Sequence, residues 1–136
     1  MSFLLDTNIL SELRKGRRAS TRVVAWIESV DDEDLWTSVL VIGELRQGVE
    51  RRRVRDPVTA AHLERWLDTI IESYGDRLLS IDNAVADRWG RMNVPDPLPV
   101  IDGLLAATAM THDLTLVTRN IRDIRRTGVK HLNPFA

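Results

Sequence analysis

Short apolar runs alternate along this chain with longer stretches in which apolar side chains return every three or four residues. The runs at residues 2–6, 34–37, 78–81, 114–118 and 129–132 have the length and character of buried strands. Between them Val23, Val24, Ile27 and Val30 recur at helical spacing, as do Ile42, Leu45 and Val49, and then Leu63, Trp66, Leu67, Ile70 and Ile71. Strand and helix signals in alternation predict βα repetition, a mostly parallel sheet and an α/β three-layer sandwich. Breaks are expected at Gly16, the Arg51 to Pro57 stretch, Gly75-Asp76 and the Pro95 to Pro99 segment. None has the composition of a linker, and with 136 residues the chain reads as one domain over 1–136.

The strand ends carry the chemistry. Asp6 closes the run Phe3-Leu4-Leu5, and Thr7 and Asn8 after it offer capping oxygens to a helix through Ile9, Leu10 and Leu13. In open parallel sheets, ligands bind at the carboxyl ends of strands where the strand order reverses. Asp102 follows Pro97 and Pro99 and opens a helix over Ile101 to Thr111, where amide ends favour an acid. It shares a face with Leu105, Ala106 and Ala109, and a carboxylate on an apolar stripe needs a partner. Glu44 lies in line with Leu40 and Gly48, away from the Ile42-Leu45-Val49 stripe, and its spacing fits a solvated face or a cleft equally well. Thr118 and Asn120 end another apolar run and can cap the helix holding Ile121 and Ile124; Asp123, one turn in, either pairs with Arg119 or Arg126 or reaches the strand ends.

Two carboxylates about 5 Å apart at an effective dielectric near 20 repel by roughly 3 kcal/mol. Several such pairs would approach the ~5–15 kcal/mol that holds a domain together, so a convergent set of acids implies a cation or raised pKa values. The chain has no cysteine, which leaves oxygen or imidazole ligands, and oxygen favours Mg²⁺ or Mn²⁺. His62, His112 and His131 are scattered without a pairing that suggests a metal or a nucleophile. Trp26, Trp36, Trp66 and Trp89 read as core or interface aromatics.

The formal net charge of −1 argues against a uniformly basic surface, but the charges are clustered. Acids gather at Asp31-Asp32-Glu33-Asp34, and bases at Arg14 to Arg18, Arg51 to Arg55 and Arg119 to Arg126. Lys15 and Lys130 are the only lysines, so nearly all the positive charge is guanidinium, which matches phosphate bidentately. Apolar runs such as Val39-Leu40-Val41-Ile42 stop far short of the roughly 20 residues of a membrane span, and Asp6 interrupts any signal-peptide core, so a cytoplasmic location is expected.

Five segments in order, Leu4-Leu5-Asp6-Thr7-Asn8, Ser38 to Leu45, Ile101 to Ala109, Leu116-Val117-Thr118-Arg119-Asn120 and Leu132-Asn133-Pro134-Phe135, make the chain resemble a PIN-domain ribonuclease of the VapC type, the toxin of bacterial toxin–antitoxin pairs. The resemblance implies a Rossmann-like sandwich with a five-stranded parallel sheet in the order 3-2-1-4-5. It implies Mg²⁺- or Mn²⁺-dependent hydrolysis of RNA with Asp6, Glu44 and Asp102 at the metal, a homodimer, and a cognate antitoxin. Many relatives carry an aspartate where this chain has Asn120, which makes Asp123 the substitute for a fourth acid. Thr7, Asn8, Thr118 and Asn120 are expected to support the acids by hydrogen bonds. A phosphoacceptor receiver is disfavoured, because Ser2-Phe3-Leu4-Leu5 holds no second acid and Lys130 comes too late in the chain. A PIN-like module that binds RNA or protein without catalysis is the alternative.

Overall fold

A computed structural model describes residues 1–136. Strand β1 (Phe3–Leu5) leads into helix α1 (Thr7–Leu13), and α2 (Thr21–Glu28) precedes β2 (Leu35–Ser38). A helical hairpin, α3 (Val39–Arg55) and α4 (Pro57–Tyr74), connects to β3 (Leu78–Leu79). Then follow α5 (Asn83–Met92), α6 (Val100–Thr111), β4 (Thr115–Val117), α7 (Ile121–Ile124) and β5 (His131–Leu132). All strand pairs are parallel, in the order β3-β2-β1-β4-β5.

β1 is central because both of its faces are apolar: Leu4 and Leu5 are fully buried. It aligns Leu4 with Trp36 on one side and with Leu116 on the other. The chain builds outward from β1 through β2 to β3, then returns to the other side of β1 with β4, so the strand order reverses between β1 and β4. The core runs from this sheet into Ile9, Val23, Val41, Leu45, Leu67, Leu105 and Ile124 of the surrounding helices.

The five expected strands all form, trimmed by up to two residues at each end, and β2 runs one residue further, to Ser38. Two expectations are corrected. The break foreseen across Arg51 to Pro57 is confined to Asp56, because the Asp56 carboxylate accepts from Thr59 N at 3.1 Å and Pro57 suits the first helical position, so α3 continues to Arg55. The buried face of α3 is Val41-Leu45-Val49, with Ile42 at its flank. Helix α5 has no counterpart in the sequence reading; its apolar side is only Val85, Trp89 and Met92, and Asp82 caps it through Val85 N at 2.9 Å. Trp89 fits against Gly103 of α6, where an added Cβ would stand 3.2 Å from the indole. No helix is long and apolar enough to cross a membrane.

Candidate metal centre

The carboxyl ends of β1 and β4 bring the first acid into place. Asp6 follows β1, donates its backbone N–H to Val117 O at 3.0 Å, and is only 6% exposed. Its carboxylate is fixed from two sides. Oδ1 accepts from Thr7 N at 2.7 Å, and Oδ2 accepts from the Thr118 hydroxyl at 2.7 Å and from Asn8 Nδ2 at 3.4 Å. Burial nonetheless raises the Asp6 pKa above its ordinary value, because these bonds offset the desolvation only in part.

Here the capping reading changes. Asp6 itself is the cap of α1, while Asn8 bridges, donating to Thr118 Oγ1 at 3.3 Å and accepting from Arg119 N at 3.1 Å. Thr7 turns its hydroxyl to Glu44 and donates to Oε1. That bond answers the question the spacing of Glu44 leaves open, because a half-buried Glu44 tied to α1 faces the cleft rather than solvent.

Asp102 enters in the first turn of α6. Its Oδ2 accepts from Asn120 Nδ2 at 2.7 Å. The expectation that Asn120 caps α7 with its side chain is therefore corrected: Asn120 stands at the cap position, but its amide is spent on Asp102. Glu44 and Asp102 are thus each held by one donor through one oxygen, and the other oxygen has no protein partner.

These acids share one open cleft of about 680 Å³, in which Asp6, Glu44, Asp102 and Asn120 stand among the lining residues. The Asp102 carboxyl is pushed up to about 6, first by burial and then by the charges of Asp6, Asp123 and Glu44. Every charge acting on it is negative. Asp123 is therefore near enough to be felt, although it does not line the cleft. Its two bland partners are taken elsewhere: Arg119 lies 4.0 Å from Glu12, and Arg126 donates to the carbonyls of Asp96 and Pro97. His62, His112 and His131 are all exposed.

An all-oxygen set under mutual repulsion fits a hard divalent cation. The fit is one of charge and donor type. No three of the side chains converge on a single point at ligating distance, so an ion would draw in the free oxygens of Glu44 and Asp102.

Sequence reasoning missed Glu12, an acid 7% exposed on α1. It accepts from Lys15 Nζ at 2.9 Å and Ser20 N at 2.8 Å, and these bonds lower its pKa. Through Glu12 the end of α1 is tied to Arg119, whose guanidinium stacks on Phe135 with 3.6 Å from its carbon to the ring centre. Its place three residues after buried Ile9 was the available signal.

Residues 3–130 match the PIN domain family. Toxin FitB of Neisseria gonorrhoeae is 32% identical, with 97% of each chain covered, and the VapC ribonuclease Y4jK of Sinorhizobium fredii is 28% identical over 97% of this chain and 96% of its own. The crystal structure of FitAcB from Neisseria gonorrhoeae superimposes with a TM-score of 0.89 at 31% identity, covering 98% of both chains. FitAB bound to an IR36 DNA fragment gives a TM-score of 0.88 at 28% identity, over 98% of this chain and 96% of that one. With the sheet order, the acidic cleft at its switch point and these likenesses in agreement, the chain belongs to the PIN domain family.

Proposed function

We propose that this protein is the toxin of a toxin–antitoxin pair and a Mg²⁺- or Mn²⁺-dependent ribonuclease that hydrolyses RNA phosphodiester bonds at the Asp6–Glu44–Asp102 cleft. The single observation that carries the reading is that Asp6, Glu44 and Asp102 line one cleft and none of the three makes an ion pair. The names of the relatives, a toxin and a VapC ribonuclease, point the same way.

Asp6, Glu44 and Asp102 would hold the ion, with Asp123 adding a negative charge that acts on Asp102. When bound, a divalent cation supplies activation of water and neutralisation of charge on the phosphodiester. The protein's own part is orientation. Thr118, Asn8 and the Thr7 amide lock Asp6, the Thr7 hydroxyl steers Glu44, and Asn120 steers Asp102. Water is excluded on one side by the packing of Asp6 into the sheet end.

A cognate antitoxin completes the proposal, supported by the solved FitAB complex, and a homodimer is proposed from the family resemblance alone. The purified protein should cleave single-stranded RNA, stop on addition of EDTA and resume with excess Mg²⁺ or Mn²⁺. Expression alone should arrest growth, and co-expression of the antitoxin should relieve the arrest. The open spacing of the acids favours one rival, a PIN module that binds without cutting. Normal growth and intact RNA at high levels of folded protein would select that rival.

A further inference from the structure

The arginines of α3 fall into two populations. Arg53 is held by Glu50, with Nε 3.0 Å from Oε1, and by Glu64, 3.1 Å from its Nη2; Arg46 shares the same two acids. Arg51, Arg52 and Arg55 make no ion pair, and neither does Arg14 at the end of α1. These unpaired guanidiniums face two grooves that meet at Gly48 and Arg52. One groove is walled by Arg51, Arg52 and Arg55. The other runs past Arg14 and Trp66 and ends at Thr7 and Glu44, on the wall of the acidic cleft. The Arg14 guanidinium carbon sits 5.9 Å from the Trp66 ring centre.

Gly48 forms the neck. It lies inside a helix, where glycine is destabilising relative to alanine. Its φ is not positive, and nothing stands within 4 Å of where a Cβ would be. Neither the backbone nor internal packing calls for a glycine there, and its effect is to keep the groove floor open.

An acidic cleft repels a polyanion everywhere except at a bound cation, so a strand of RNA must be gripped beside the site rather than in it. We propose that this trough is the RNA track, with Arg14, Arg52 and Arg55 on the phosphates to one side of the scissile bond and Trp66 as the apolar wall for a base or ribose. The inference rests on the ribonuclease reading of the cleft. Guanidinium forks match phosphate oxygens, and at ~1.5 Å of rise per residue α3 carries the strand about 12 Å from Glu44 to Arg52. Contacts of this kind position a strand without reading its sequence.

The test uses the full chain and a fluorescent, uncleavable 2′-O-methyl single-stranded RNA of mixed sequence, in EDTA, followed by anisotropy, with cleavage of an unmodified strand in Mn²⁺ measured in parallel. Arg52→Gln with Arg55→Gln should weaken binding about tenfold, flatten the salt dependence by about 0.7 per lost contact, and raise KM with kcat unchanged. Gly48→Leu should also weaken binding, while its thermal midpoint holds or rises because leucine is the better helix former. Arg46→Gln, at a paired arginine on the same helix, should leave binding unchanged. If the double variant and Gly48→Leu bind like the parent while the parent still cuts RNA, the track is wrong and the cleft reading survives. A parent that neither binds nor cuts RNA removes both. If the double variant keeps its RNA affinity but loses affinity for the antitoxin, the trough is a protein-docking surface and the proposal fails.

Discussion

The cleft at the β1/β4 switch point and the outer face of the α3–α4 hairpin are built from the same side-chain chemistry and behave in opposite ways. On the hairpin, Glu50 and Glu64 sit between Arg46 and Arg53, and each charge moves its partner's pKa in the stabilising direction. At the cleft, burial and the negative charges of Asp6, Asp123 and Glu44 hold the Asp102 carboxyl up to about 6, and none of these acids makes an ion pair. The difference shows where the fold spends stability. Exposed, matched charges are nearly neutral to it, whereas a partly buried cluster of one sign costs stability.

The largest expected effect comes from removing the first acid. Asp6→Asn should lower cleavage by more than about 100-fold, since even outer partners of metal ligands are worth about 10–100-fold. The fold should survive, because asparagine can keep the contact from Thr7 N; circular dichroism and the melting midpoint check this. An Asp6→Asn protein that unfolds would make Asp6 a structural residue and erase the contrast with the hairpin.

Next in size is the support. Asn120→Ala removes the donor to Asp102 Oδ2 and should cost about 10–100-fold in Mn²⁺ affinity, with α7 intact, since the side chain makes no capping bond. Asp123→Ala also weakens affinity by removing one of the charges that Asp102 feels. Isothermal titration with Mn²⁺ ranks the two. Full affinity in Asn120→Ala would show that Asp102 needs no steering.

A smaller effect concerns pH. Because the folded protein holds the Asp102 proton up to about 6, above its ordinary 3.8, the native state binds more protons than the unfolded chain between those values. This group's contribution to stability is therefore present below pH 3.8 and lost as pH rises through about 6. Solvent screening of the half-exposed carboxyl keeps the effect modest. Without metal, Asp102→Asn should melt with the parent near pH 4 and about 3 °C above it at pH 7. A gap that closes as pH rises would reverse the assigned sign.

The smallest change is expected on the hairpin. Glu64→Gln should leave the melting midpoint within error in high salt and barely lowered in low salt, as exposed ion pairs do. A large loss there would mean that the network holds α3 against α4.

The same contrast explains what the sequence made legible. Strands announce themselves through apolar runs, and Asp6 and Asp102 stand out because a carboxylate beside Leu5 or on the stripe of Leu105 and Ala109 breaks an apolar pattern. Glu44 breaks nothing, since it lies off the buried Val41-Leu45-Val49 face, and only the Thr7 hydroxyl 37 positions earlier in the chain reveals its direction. For Asn120 only the capping reading failed, for the same reason: capping is a local rule, while the acid its amide supports lies 18 residues away on α6. Helix α5 was overlooked although Val85, Trp89 and Met92 recur at helical spacing and Asp82 offers a cap, so its signal was present in the sequence and not read. Local pattern carries the sheet and its strand-end acids, and the long-range hydrogen bonds that orient those acids leave no periodic trace.

The central claim is that the cleft's unmatched negative charge exists for a divalent cation. Calorimetric titration of Mn²⁺ into the purified protein at pH 7.5, alongside Asp6→Asn and Asp102→Asn, tests it most directly. The account predicts saturable binding in the parent and its loss in both variants. Absence of binding in the parent, or equal binding in all three proteins, would contradict it.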